Sequence, residues 1–347
     1  MLVLRLMLSL AGLLALMAPA SAAAPTPASV TPTLVDAATK EGSVVFYTSI
    51  ELQTAEKIAK AFEAKYPGIG VQVERNGAER IFQRVAQERG SGIHAADVLE
   101  ASDMTAFILW KRQNWLAPFL PSDVAEKWPA DQRDPDGYFA TERFTLSPIA
   151  YNTRLVKPEE APKSFNDLLD KKWDGKIVKA HPGYSGTIMT VTFEVSRDIG
   201  WDFLEKLGKQ HIMQVQSAAE PPKKVAQGER PIGADGGEYF LFQLRASGAP
   251  LGIVYPSEGT PSIPGGAAAA VDAPHPNAAR LFVSYLFSGE GQQMLSEIGW
   301  LRSFHPDVKP HEGVKPLSEI KIMKADPAKQ VELDAEIKKK YAEYFGL

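Results

Sequence analysis

The 347-residue sequence contains no cysteine. That absence removes disulfide frameworks, cysteine-ligated zinc, iron–sulfur clusters and thiol nucleophiles together. An excess of basic charge is also lacking, since 38 Lys and Arg stand against 42 Asp and Glu, a formal net charge of −4. A nucleic-acid footprint needs clustered Lys and Arg, so no nucleic-acid partner is expected. At 44% hydrophobic and 23% charged residues the composition is that of a folded chain. The length suits two lobes of roughly 150 residues better than one ordinary domain. No interior stretch is long and apolar enough for a membrane span.

What is present begins with an export signal. Arg5 precedes an apolar run from Leu6 to Met17, followed by Ala18-Pro19-Ala20-Ser21-Ala22-Ala23. This order of cation, apolar core and Ala-x-Ala reads as a secretory signal peptide over 1–22, cut after Ala22. The run is too short to span a bilayer, and no lipid-accepting cysteine follows it. Cleavage removes one cation and no anion, leaving a net charge of −5. The expectation is a soluble periplasmic protein without stable membrane insertion, whose large core makes disulfides unnecessary. Residues 23–33 are rich in Ala, Pro, Ser and Thr and read as a flexible leader.

The rest alternates between strand and helix patterns. Leu34–Glu41 reads as a short helix stopped by Gly42, and Ser43–Tyr47 as a buried strand. Thr54–Tyr66 places Ile58, Phe62 and Tyr66 on one helical face, and Pro67-Gly68 ends it. A second strand alternates through Ile69, Val71 and Val73; a helix over Arg80–Arg89 and a third strand from Asp97 follow. Ser102–Trp110 reads as helical, and Ser147–Tyr151 as a strand leaving the first lobe. A second set follows, with strands at 176–178, 213–216, 232–234 and 251–255 and helices at 166–171, 185–196, 201–209 and 238–246. The order implies mainly parallel sheets flanked by helices, in two α/β lobes joined by two crossings. A single doubly wound sheet fits the strand spacing less well. The helical chain from Pro276 onward is expected back on the first lobe.

Enzyme chemistry finds little support. Gly183-Tyr184-Ser185-Gly186 starts like a nucleophile elbow, but residue 187 is Thr where Gly is required. His181 lies before Ser185, whereas such hydrolases place the base well after the nucleophile. No His-Glu-x-x-His, EF-hand, Walker or Gly-x-Gly-x-x-Gly motif occurs. The six histidines (94, 181, 211, 275, 305 and 311) show no ligand spacing, and Glu159-Glu160 sits in a Pro-rich stretch.

Binding chemistry fares better. The strand-to-helix junctions Thr48-Ser49, Ser102-Asp103 and Ser185-Gly186-Thr187 offer helix N-termini to an anion. Plain N-capping explains any one of them, but in open α/β sheets such junctions converge on the crevice where ligands bind. Acids and phenols sit at matching positions: Glu51, Tyr151, Asp235, Glu238, Tyr239 and Glu258. Their oxygens suit a hard cation or an ammonium group.

Several segments taken in order resemble one family. They are Val44-Val45-Phe46-Tyr47-Thr48, Ala96-Asp97-Val98, Ala150-Tyr151-Asn152-Thr153, Pro276 to Phe282, Ser288-Gly289-Glu290-Gly291-Gln292 and Gly299-Trp300. Together they resemble the periplasmic solute-binding proteins of ABC importers, in the branch that includes ferric-ion binders. The resemblance implies a clamshell that closes on a solute and hands it to a membrane permease. Lobe 1 would be 34–148 with 256–347, and lobe 2 would be 149–255. It also implies a monomer without catalysis or resident cofactor. Ferric binders present a His or Glu, a further Glu and two adjacent tyrosines; the matching positions are Glu51, Ser102, Glu238 and Tyr239. If iron(III) is the cargo, Glu238, Tyr239 and Tyr151 would hold it, with Ser185-Gly186-Thr187 on an accompanying anion. Other relatives take phosphonates, sugar phosphates, thiamine or polyamines. The expected ligand contacts are Thr48, Ser49, Glu51, Ser102, Tyr151, Ser185, Gly186, Thr187, Asp235, Glu238, Tyr239 and Glu258. The alternatives are a secreted enzyme on the same two lobes and a chemoreceptor-coupling adaptor.

Overall fold

A computed structural model describes residues 24–346. The export signal expected over 1–22 lies outside the described residues. The stretch expected as a flexible leader is tied down from Ala28, whose N–H donates to Leu120 O at 2.9 Å while Ser122 N–H donates to Ala28 O at 3.0 Å. Helix α1 (Pro32–Glu41) starts within it, capped by the Thr31 hydroxyl.

Lobe 1 opens with β1 (Ser43–Thr48), α2 (Leu52–Lys65), β2 (Gly70–Arg75), α3 (Ala78–Gly90), β3 (Val98–Ala101) and α4 (Met104–Arg112). Then come α5 (Ser122–Lys127) and β4 (Ala140–Leu146). The chain crosses to lobe 2 through β5 (Ile149–Asn152), β6 (Ile177–Ala180), α6 (Gly186–Asp198), α7 (Trp201–Gly208) and β7 (Met213–Val215). Lobe 2 ends with α8 (Glu220–Gln227), β8 (Ile232–Gly233), α9 (Glu238–Ala246) and β9 (Leu251–Val254). The return crossing leads to β10 (Ser262–Ala269), α10 (Pro276–Leu286) and α11 (Gly289–Gly299), and α12 (Pro327–Phe345) comes last.

The two sheets run β2-β1-β3-β10-β4 and β7-β6-β8-β5-β9. They are mixed where mainly parallel sheets were expected. Parallel pairs join β1 to β2 and β3, and β6 to β7 and β8, while β10 and β5 pair with their neighbours antiparallel. The reason is β5 and β10, one in each sheet, which the crossings between the lobes insert in the opposite sense to their neighbours. Periodicity did not reveal β10 because its sequence is Ser-Ile-Pro-Gly-Gly-Ala-Ala-Ala. Gly266 is required there: a Cβ would lie 2.8 Å from Met104 Sδ and 2.9 Å from the Phe107 ring.

Burial explains why the elements assemble. In lobe 1, Phe46 and Phe62 both meet Phe282 of α10 edge-on, at centroid distances of 5.0 and 4.9 Å. Each ring buried there contributes about 2 kcal/mol or more. Lobe 2 has its own core around Ile149, Leu168, Ile177, Phe203 and Ile232.

Helices α10 and α11 pack on lobe 1, whereas α12 lies across both lobes, against α4 on one side and α6 and α7 on the other. Ile337 packs against Met189 and Phe193 of α6, and Tyr344 and Phe345 join the lobe 2 core. The chain therefore crosses three times. The third crossing runs beside the second, with Thr260 N–H donating to Lys321 O at 2.8 Å and Met323 N–H to Thr260 O at 2.9 Å.

Candidate functional site

The carboxyl ends of both sheets meet at a cleft of about 160 Å³ between the lobes. Lobe 1 contributes Ser49 after β1, Ser102 after β3, and Arg75, Gly77, Ala78 and Arg80 from the β2–α3 junction. Lobe 2 contributes Tyr184, Ser185 and Thr187 before and within α6, Gln216 to Ala218 after β7, and Tyr239 and Phe240 at the start of α9. The lobes are shut on it. A Cβ on Gly186 would lie 2.7 Å from Asp103 Cβ and 3.1 Å from Ala78 Cβ, so only a glycine permits this approach.

The β1–α2 junction, an expected anion point, already holds an anion from the chain. Glu100, fully buried, accepts the Ser49 N–H at 2.6 Å, the Thr48 hydroxyl at 2.7 Å and the Ile50 N–H at 3.2 Å. Arg143 answers its charge, with Nε on Glu100 Oε1 at 2.8 Å and Nη2 on Ser49 Oγ at 2.8 Å. Ser49 Oγ also accepts the Ser102 N–H at 2.9 Å. With both lone pairs filled, Ser49 shapes the wall of the cleft.

The open donors lie elsewhere. Helix α3 starts after Gly77 with no side-chain cap, and α6 starts after Ser185, whose hydroxyl accepts the Ile188 N–H only at 3.4 Å. Each of these 13-residue helices aims its positive end at the cleft, one from each lobe. Arg75 and Arg80 stand beside them. Arg75 Nε donates to Ile50 O at 3.3 Å, but neither arginine forms an ion pair among the described residues, and no Asp or Glu lines the cleft. Burial pushes the Tyr239 phenol up to about 12, against the lowering pull of Arg143 and Arg75, so it is a neutral donor at pH 7.

The structure brings Ser49, Ser102, Ser185, Thr187 and Tyr239 together, with Thr48 directly behind and Gly186 at the lobe contact. Glu51 sits at the N-cap position of α2, outside the lining. The remaining expected contacts are committed elsewhere. Asp235 pairs with Lys179 at 2.8 Å and accepts the Ala180 N–H. Glu238 is held by Arg302 Nε at 2.5 Å, Arg302 Nη2 at 3.1 Å, the Tyr255 hydroxyl and the Leu146 N–H. Glu258 accepts the N–H groups of Phe165 and Asn166. Tyr151 lies in the lobe 2 core against Gly252. The three groups expected around a ferric ion are thus separated, and no cluster of three or more His, Asp or Glu suited to a metal ion occurs among the described residues.

Sequence reasoning missed Arg75, Gly77, Arg80, Tyr184 and Gln216 to Ala218. The signal for Arg75 and Gly77 was available, because they form the junction after β2; the strand had been ended at Val73. Gln216 to Ala218 likewise follow β7.

Comparison with known proteins identifies the family of the chain. The family model for bacterial extracellular solute-binding proteins matches residues 48–293. A putative 2-aminoethylphosphonate-binding periplasmic protein of Salmonella typhimurium is 25% identical over 266 residues, covering 72% of this chain and 73% of its own. The structure of the periplasmic binding protein AfuA from Actinobacillus pleuropneumoniae, with exogenous fructose-6-phosphate bound, superposes with a TM-score of 0.81 at 25% identity, covering 88% of this chain and 99% of that one. Iron-bound HitA from Pseudomonas aeruginosa shares the fold, with a TM-score of 0.76 at 23% identity over 88% of this chain and 99% of its own. No helix among the described residues is long and apolar enough to cross a membrane. The chain belongs to the bacterial extracellular solute-binding proteins, and is a periplasmic solute-binding protein of the ABC-transporter kind.

Proposed function

We propose that this protein is the exported, monomeric receptor for a small phosphate ester or phosphonate, which it delivers to the permease of an ABC importer without transforming it. The observation that carries the reading is the pair Arg75 and Arg80, which face a cleft lined by hydroxyls and no carboxylate. Two guanidinium groups without a carboxylate partner and two helix N-termini favour a dianionic head group. They oppose a polyamine or thiamine, whose positive charge would meet theirs.

The ferric reading is less well supported, because Glu238 is spent on Arg302 and Tyr151 lies in the lobe 2 core. An enzyme is less well supported too. His181 Nδ1 accepts the Gly183 N–H at 2.8 Å, which leaves it unavailable as a base for Ser185. Two relatives bear on the head group: one is named for 2-aminoethylphosphonate and another holds fructose-6-phosphate. In binding, the anion would sit between α3 of lobe 1 and α6 of lobe 2, so its contacts with both lobes favour the closed state.

Titration calorimetry of the mature protein with fructose 6-phosphate and 2-aminoethylphosphonate tests the reading, run at low and physiological salt. Binding of at least one, weakened by salt and by Arg75→Ala, is expected. Binding of ferric citrate or putrescine instead, with neither phosphorus compound bound, would overturn it.

A further inference from the structure

Helix α12 bridges the lobes, packing on α6 and α7 of lobe 2 and on α4 of lobe 1. Beyond the apolar contacts of Ile337, the Tyr341 hydroxyl donates to Ala180 O at 3.3 Å and contacts Gln214 Oε1 at 2.9 Å, which fixes the C-terminal half to lobe 2. The N-terminal half lies over α3 and α4. Gln330, buried to 2% exposure, donates to the Asp103 carboxylate at 3.4 Å. Asp334 and Lys338 face Glu79, Asp103 and Met189 across a second interlobe cavity of about 180 Å³.

Charge in that cavity is shared unevenly. Glu79 on α3, Asp103 at the start of α4 and Asp334 on α12 line the cavity together with the ammonium of Lys338. Lys338 Nζ lies 2.9 Å from Asp334 Oδ2. Burial would lower the lysine, yet the Asp334 hydrogen bond and the fields of Glu79 and Asp103 hold it above its ordinary value. Asp103 directly follows Ser102 of the ligand cleft, and Gly186 is pressed against it. The cavity therefore exists only while the lobes are shut.

We propose that α12 is a closure latch, in which Gln330 and Lys338, carried on lobe 2, hold Asp103 and Glu79 of lobe 1. Part of the closing free energy then comes from the chain itself, and the ligand supplies the remainder. The latch rests on the receptor reading only in that the lobes open and close. A latch that raises the closed fraction raises the apparent affinity in proportion, and Lys338→Glu, which adds a fourth acid to the cavity, works against closure.

The absence of cysteine permits a direct test. Lys57→Cys on α2 and Lys206→Cys on α7, both exposed, accept a pair of spin labels in the full mature chain. The interlobe distance distribution is then measured without ligand and with fructose 6-phosphate as probe at about 1 mM, on the order of 1,000 times a micromolar Kd. Lys338→Glu is expected to move the distribution toward longer distances, and Glu79→Lys added to it to move it back. Urea unfolding of each variant separates this from loss of fold. Identical distributions for the parent, Lys338→Glu and the charge-exchanged pair, with and without probe, would overturn the latch. A parent that binds no phosphorus compound would refute the anion reading and leave these distances to judge the latch on their own.

Discussion

Glu100 and Ser49 meet where an outside anion would otherwise sit, the carboxylate accepting the Ser49 N–H at 2.6 Å. The protein has filled one of its own anion points and balanced it with Arg143. On the proposed reading, a ligand anion is thereby directed to α3, α6, Arg75 and Arg80.

Glu100→Gln should therefore act on stability more than on recognition. It takes from the buried Arg143 guanidinium its hydrogen-bonded counter-charge and leaves only Glu142, at 3.9 Å, beside it, a loss of about 3 kcal/mol or more. Urea unfolding measures it, and a loss under about 1 kcal/mol would remove the internal-anion account.

Arg80→Ala should do the reverse. The side chain is exposed and unpaired, so stability without ligand changes by no more than about 0.5 kcal/mol. Affinity for a phosphorylated solute falls roughly 10- to 100-fold, the worth of a charge-assisted hydrogen bond to an anion. Calorimetry on the variant reads both, and an unchanged Kd would exclude Arg80 from the site.

Gly186→Ala tests closure without touching a charge. The added methyl would press on Asp103 Cβ and Ala78 Cβ, which belong to the opposite lobe. Affinity should drop about tenfold through a less favourable closed state, while alanine at a helix start leaves the open protein at least as stable. Equal affinity would show that the lobes do not approach this closely when ligand is bound.

Stability should also vary with pH through Glu194. This acid lies in α6 and accepts the Ser262 N–H of lobe 1 at 2.7 Å. Burial pushes it up to about 9, so the folded protein keeps a proton that the unfolded chain releases near 4.5. The native state then binds more protons between these values, and its stability falls as pH rises from about 4.5 to 9. The slope from this group is at most about 1.4 kcal/mol per pH unit. Denaturant unfolding at pH 5, 7 and 9 should show the fall in the parent and a flatter profile in Glu194→Gln. A parent whose stability rises across that range, with Glu194→Gln parallel to it, would contradict the assignment.

Much of the fold was legible because burial leaves a periodic trace. Val44 and Phe46 mark β1, and Ile58 and Phe62 mark α2. Strand β10 left no such trace, because close packing on Met104 and Phe107 demands glycine where a strand would show β-branched residues. Helix α8 was hidden by Pro221 and Pro222, which its first turn tolerates. The destination of α12 was not readable either, since an amphipathic face does not say which lobe covers it. In the site, junction chemistry found the hydroxyls. It could not tell that Glu238 and Asp235 would be taken by Arg302 and Lys179, partners 64 and 56 residues away in the chain.

The measurement that tests the account most directly is a thermal-shift panel on the ligand-stripped mature protein. The panel sets phosphate esters and phosphonates against ferric citrate, thiamine and polyamines. Native-state binding raises the melting temperature by mass action. The account predicts a rise with at least one phosphorus oxyanion, lost in Arg75→Ala and Arg80→Ala, and none with the cations. A rise with iron, thiamine or a polyamine, and none with any phosphorus compound, would contradict it.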